Sequence, residues 1–145
     1  MKKNIAKESQ RLSVEEVWRG LTQKIRHDLM EYQKISNASE LGKVLENLRS
    51  QGIADVSQLL INVDRDKQVK VVNFNHEDGK TEQCGSLDNI HLKGSTDPFL
   101  MIKLEERHKA SFSFLYSKDK VINKIMRVED DAGNILYENE GGDDV

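Results

Sequence analysis

The spacing of apolar residues changes once along this chain, near Gly52, and that change limits the possible folds more than any other feature. Before it, Val14, Val17, Trp18, Leu21, Ile25, Leu29 and Tyr32 recur at intervals of three and four, which puts them on one stripe of an α-helix. Arg19, Lys24, Arg26, Asp28 and Glu31 fall largely outside that stripe. After Gly52 the period shortens to two: Leu59, Ile61 and Val63, then Val69 and Val71 up to Phe74, then Phe112, Phe114 and Tyr116 alternate with their neighbours as strand residues do. Helical pattern first and strand pattern afterwards predicts an α+β domain, with helices layered on an antiparallel sheet.

Local signals place the elements. Ser13-Val14-Glu15-Glu16 is a capping box, in which hydroxyl and carboxylate satisfy each other's exposed backbone donors, so a helix is expected from there to about Gln33. Asn37 with Glu40 three residues on starts a second helix, with Leu41, Val44, Leu45 and Leu48 on one face and Gly52 as its left-handed stop. The link of about four residues predicts an antiparallel helical hairpin. Val17, Leu21, Ile25, Leu45 and Phe114 are the expected core.

Leu59 to Val63 and Val69 to Phe74, joined by Asp64-Arg65-Asp66-Lys67, read as a β-hairpin. His76 to Lys80 is the next turn, followed by a weaker strand from Thr81 to Leu87. Residues 88 to 97, before Pro98, the only proline, read as the longest loop. Phe99 to Leu104 and Ser111 to Tyr116 are the expected central strands. Lys120 to Tyr137 has helical spacing at Val121, Ile122, Ile125 and Met126, but leads into a turn at Asp130-Asp131-Ala132-Gly133-Asn134; a last hairpin is the reading adopted. The sum is an N-terminal helical hairpin on a mainly antiparallel meander of five to six strands. It spans residues 12–138, between a basic tail (1–11, with Lys2, Lys3, Lys7 and Arg11) and an acidic one (139–145, with Glu140, Asp143 and Asp144).

A chain of 145 residues can bury a core without staples. With 22 basic and 25 acidic side chains its formal charge is −3, which lacks the cationic excess that phosphate neutralisation needs, so nucleic acid is not the expected partner. No window has the apolar length of a signal peptide or a membrane span, and one cysteine, Cys84, cannot form an internal disulfide; a cytoplasmic address and no membrane partner are expected.

Motifs for chemistry are sparse. His27 and Glu31 could reach one ion from one helix face, but a pair with no third ligand is common on helix surfaces; His76, His91 and His108 fall in turns or charged links. Asp64, Asp66 and Lys67 resemble the carboxylate-plus-lysine sets that hold a cation in metal-dependent nucleases, and equally suit a turn; the calcium-loop pattern of Gly and Glu does not follow them. No phosphate-cradling glycine pattern and no nucleophile elbow occurs. The expectation is therefore no metal, no cofactor and no catalysis. Glu105, Glu106, Glu129, Asp130 and Asp131 flank the late strands, and are expected to form an acidic surface for another protein with a basic face. Such a chain would work by masking its partner, as bacterial immunity proteins, inhibitors and antitoxins do. The alternative is a small-ligand pocket between helices and sheet, with Asn73, Cys84, His91 and Ser113 as inward polar groups.

Overall fold

The computed structural model describes residues 12–75, 77–93, 99–105, 112–117 and 123–139. Among these residues four helices precede six strands: α1 Val14–Gly20, α2 Gln23–Gln33, α3 Ala38–Ser50, α4 Ser57–Asn62, β1 Gln68–Asn75, β2 Gly79–Lys93, β3 Phe99–Glu105, β4 Phe112–Ser117, β5 Asn123–Asp130 and β6 Ile135–Glu138. The class is α+β, with the N-terminal helices lying on an antiparallel sheet of order β4-β3-β2-β1-β5-β6.

The capping box forms as expected: Ser13 N–H donates to Glu16 Oε1 at 2.9 Å and Glu16 N–H to Ser13 Oγ at 3.2 Å. The helix it starts does not reach Gln33 unbroken. It ends at Gly20 and restarts at Thr22, whose Oγ1 accepts from Ile25 N–H at 3.2 Å. The chain leaves the helix at Leu21 and Thr22, both extended; just before them Gly20 packs closely on α4, where a Cβ would lie 3.1 Å from Ile61 Cγ2, and its carbonyl accepts a hydrogen bond from the Arg65 guanidinium. One consequence is that Tyr32, expected on the core stripe, is 71% exposed, while Gln33 turns inward.

The second helix starts at Asn37, whose Oδ1 accepts from Glu40 N–H at 2.9 Å; Glu40 reaches back one residue further than a capping box would, taking Ser36 N–H at 2.8 Å and Ser36 Oγ at 2.7 Å. It stops in a Schellman arrangement: Gly52 has φ 104°, Gly52 N–H donates to Arg49 O at 3.0 Å and Ile53 N–H to Leu48 O at 2.9 Å. Gly42 lets α1 approach α3, where a Cβ would lie 3.4 Å from Val14 Cγ2.

Three strand readings need correction. Leu59 to Val63 is not a strand of a hairpin; residues 57–62 form α4, and its buried residues Leu59, Leu60 and Val63 fit a helical face as well as they fit alternation. Residues 88–93 of the expected loop belong to β2, which is 15 residues long; residues 94–98 lie outside the described set. Phe99–Glu105 and Phe112–Ser117 are strands, but β4 is an edge strand, and β2 and β1 occupy the centre. The last segment is a hairpin, β5–β6, and β5 returns to pair with β1. Asn139 belongs to the sheet rather than to the tail, since it is buried and its N–H donates to Met126 O at 2.9 Å.

The length of β2 follows from its two tasks. Residues 79–86 pair with β1, from Asn75↔Gly79 to Gln68↔Ser86, whereas residues 86–93 pair with β3, from Ser86↔Glu105 to Lys93↔Phe99. Two half-sheets therefore share one strand. At the changeover Gly85 is required by space: a Cβ would sit 3.0 Å from Glu105 O and 3.2 Å from Leu104 Cβ. Where β1 leaves, the edge of β2 would be bare. Instead Gln33 Oε1 accepts from Leu92 N–H at 2.8 Å and its Nε2 donates to Ile90 O at 3.4 Å. Asp64 N–H donates to Leu87 O at 3.1 Å, Leu87 N–H to Lys67 O at 3.3 Å, and Asn89 Oδ1 accepts from Ile90 N–H at 2.7 Å. The backbone groups of this edge are thus paired without a strand.

The core lies between the helices and the inner face of the sheet. Val17, Leu21, Ile25, Leu29, Leu41, Leu48, Leu59 and Leu60 meet Leu87, Ile90, Leu92, Leu100, Ile102, Leu104 and Val128 there. Of the expected core residues, Val17, Leu21 and Ile25 are buried and Leu45 is half-buried against the core; the Phe114 side chain lies outside the described set.

Candidate functional site

Sheet register decides whether the acidic positions can act together. Gln68 pairs with Ser86 and Ser86 with Glu105, while the next residue, Val69, pairs with Asp130. The end of β3, the start of β1 and the end of β5 therefore lie at one end of the sheet. Glu105 and Asp130 stand three strands apart in the order β3-β2-β1-β5. Asp131 follows in the β5–β6 turn and is exposed, as is Glu105. The 64–67 turn joins the same end through its hydrogen bonds to Leu87, bringing exposed Asp64 and Asp66 with Arg65 and Lys67. Glu106 lies outside the described residues.

The members differ in what their charge does. Glu129 faces Arg127, with Oε2 3.0 Å from Nε, and Lys70, with Oε1 3.9 Å from Nζ, so its charge is neutralised within the sheet. Asp130 shapes its own turn: Oδ1 accepts from Ala132 N–H at 3.0 Å and Asn134 N–H at 2.9 Å, and Oδ2 from Asn134 Nδ2 at 3.1 Å. The Asn134 amide above all, then the backbone donors of Asn134 and Ala132 and the nearby Lys67, hold this carboxyl below its ordinary value. Glu105 and Asp131 have no ion-pair partner among the described residues, and their carboxylates are open to a partner.

The inward polar candidates of the alternative reading do not converge. Asn73 is buried on the inner face, opposite Ile125; Cys84 is exposed on the other face, opposite Lys70. His91 lies between the buried Ile90 and Leu92 and is only half-buried, hence also directed away from the core. The Ser113 side chain is outside the described set. Asp64 and Asp66 both have positive φ, 64° and 57°, and Asp64 Oδ1 is 4.0 Å from Lys24 Nζ, as suits a tight turn on the surface. Among the described residues, no three His, Cys, Asp or Glu side chains gather as metal ligands would, and no helix is long and apolar enough to cross a membrane.

Two features carried no signal in the sequence. One is the Gln33 clasp on β2. The other is an open groove of about 470 Å³ on the helical layer, lined by Trp18, Gln23, Arg26, His27, Met30 and Ser36. Trp18, expected on the core stripe, is half-buried, and Met30 is 48% exposed.

Comparison with known protein families, with characterised proteins and with solved structures finds no match for this chain.

Proposed function

We propose that this chain is a non-enzymatic protein that binds and masks another protein, in the manner of a bacterial immunity or inhibitor protein, and that its partner presents a basic surface. The observation that supports this reading is the register of the sheet. It sets Glu105 and Asp131 at one end, exposed and without ion-pair partners among the described residues, beside a turn carrying Asp64 and Asp66. Carboxylates held on paired strands and a tight hairpin lose little freedom when a cation meets them, and they speed encounter with a positive surface. Glu129 and Asp130 serve this site indirectly, by fixing the strand and the turn that carry Asp131. A reducing, cytoplasmic setting is part of the proposal and accords with the single, exposed Cys84.

The test uses the full chain as bait in its source cell, with a Glu105→Gln, Asp131→Asn chain as control. A captured protein with a basic surface should associate more slowly with the control. Because surface charges are screened over about 10 Å at 0.1 M salt, the difference should shrink as ionic strength rises. Equal association rates for the two chains at low salt would remove this surface from the account.

A further inference from the structure

The groove on the helical layer is a separate surface, on different elements from the acidic end. Gln23, Arg26, His27 and Met30 are spaced three, one and three apart on α2, so they form one face; Trp18 comes from α1, across the Leu21–Thr22 break, and Ser36 from the link to α3. The opposite face of α2 is anchored by buried Ile25 and Leu29 and by the Gln33 clasp on β2. The groove face is thus held on a fixed support, which lowers the entropy lost on binding.

Its chemistry is one-sided. The ionisable lining residues are Arg26 and His27, with no carboxylate among them. Arg26 is half-buried and has no ion-pair partner among the described residues, whereas Lys24, one position from Gln23, has both Asp28 at 3.9 Å and Asp64 at 4.0 Å. Glu31 stands four residues after His27 on α2, exposed and outside the groove lining, and Glu40 is engaged by Ser36 N–H and Oγ, which hold its carboxyl below the ordinary value. Trp, Met and Arg are the residue types that anchor protein interfaces, and Arg matches a carboxylate with two parallel hydrogen bonds. The groove is open rather than enclosed, which suits a polypeptide segment better than a small molecule that must be mostly surrounded.

We infer that this groove docks an acidic segment of another protein, one that lays an apolar side chain against Trp18 and Met30 and brings a carboxylate to Arg26. Trp18 is the chain's only tryptophan and lines the groove with part of its surface against the core, so its emission comes from this one position. The experiment selects peptides from a random display library against the full chain and titrates the enriched peptides while following Trp18 fluorescence. The expected peptides carry Asp or Glu beside Leu, Phe or Met and shift Trp18 emission. Arg26→Gln and Met30→Ala should each weaken them about tenfold, which corresponds to about 1.4 kcal/mol. Both substitutions are at exposed or half-exposed positions, and an unchanged thermal melt would show that each variant is folded. The inference fails if no peptide is enriched, if the enriched peptides lack carboxylates, or if binding ignores both substitutions. It fails equally if a single-stranded oligonucleotide displaces the peptides, since that would assign the groove to nucleic acid.

Discussion

The two half-sheets that share β2 are held together in different ways. On the β3 side, the inner face of β2 and β3 is aliphatic, Leu87, Ile90 and Leu92 lying against Leu104, Ile102 and Leu100, all buried. Among the described residues, the outer edge of β2 there has no strand beside it and is met by Gln33 and the 64–67 turn. On the β1 side every strand has its ladder, but polar residues share the buried face: Asn73, Tyr137 and Asn139 are buried there with Val71 and Val128. One half relies on apolar packing and borrowed hydrogen bonds, the other on its backbone ladders. The proposed acidic surface spans both halves, with Glu105 at the end of β3 and Asp131 after β5, whereas the helical groove lies on elements that brace the packed half.

The largest effect that would test this contrast is on packing. Ile102→Ala removes methyl groups from the fully buried centre of the β3 half and should cost about 2 to 5 kcal/mol, read from chemical denaturation; a loss below about 0.5 kcal/mol would show that this half is not the main store of apolar burial. Next is the borrowed edge. Gln33→Ala leaves Ile90 O and Leu92 N–H without their partner at a half-buried position, an expected cost of about 1 to 2 kcal/mol. Hydrogen exchange should quicken at Leu92 and leave β1 amides as they were; equal acceleration in both halves would break the comparison.

The smallest effect concerns acid. Asp130 has its pKa depressed from an ordinary 3.8 in the folded state, so it contributes stability above that value and the contribution is lost as pH falls through the lower, folded value. Glu16, held low mainly by Ser13 N–H, and Glu40, held low mainly by Ser36 N–H, behave alike from an ordinary 4.5. Stability should therefore decline below about pH 4.5, and Asp130→Asn should flatten the lower part of that decline. A pH profile unchanged by this substitution would mean that the hairpin does not depend on the Asp130 charge.

What could be read from the sequence was what depends on neighbours in the chain. Ser13 with Glu16, Asn37 with Glu40 and Gly52 each act within one helical turn, so these helix ends were legible; the break at Leu21 and Thr22 was not, because the apolar stripe runs through it without a change of spacing. Leu59 to Val63 was misread because a short apolar run satisfies both periods at once. The polar stretch from Cys84 to Asn89 looked like a strand running out into a loop; its polarity reflects an outer face in water and a glycine demanded by Leu104 and Glu105. The acidic positions were legible as a set flanking the late strands, but only register shows Glu105 and Asp131 at one end. Only side-chain geometry shows Glu129 and Asp130 already engaged. A glutamine at the end of a helix has no pattern that would announce Gln33 as a clasp.

The return of β5 to β1 also sets an order of events in time. While the ribosome is still making the chain, β1 can pair with β2 as soon as their hairpin emerges, yet its other edge has to wait until residues 123–130 exist. Throughout that interval Val69, Val71 and Val72 stand on a strand with an open row of backbone donors and acceptors, the arrangement most prone to pair with a neighbouring chain. The vulnerable moment in the life of this protein is therefore the stretch of synthesis between β1 and β5, and a pause there is where self-association would begin.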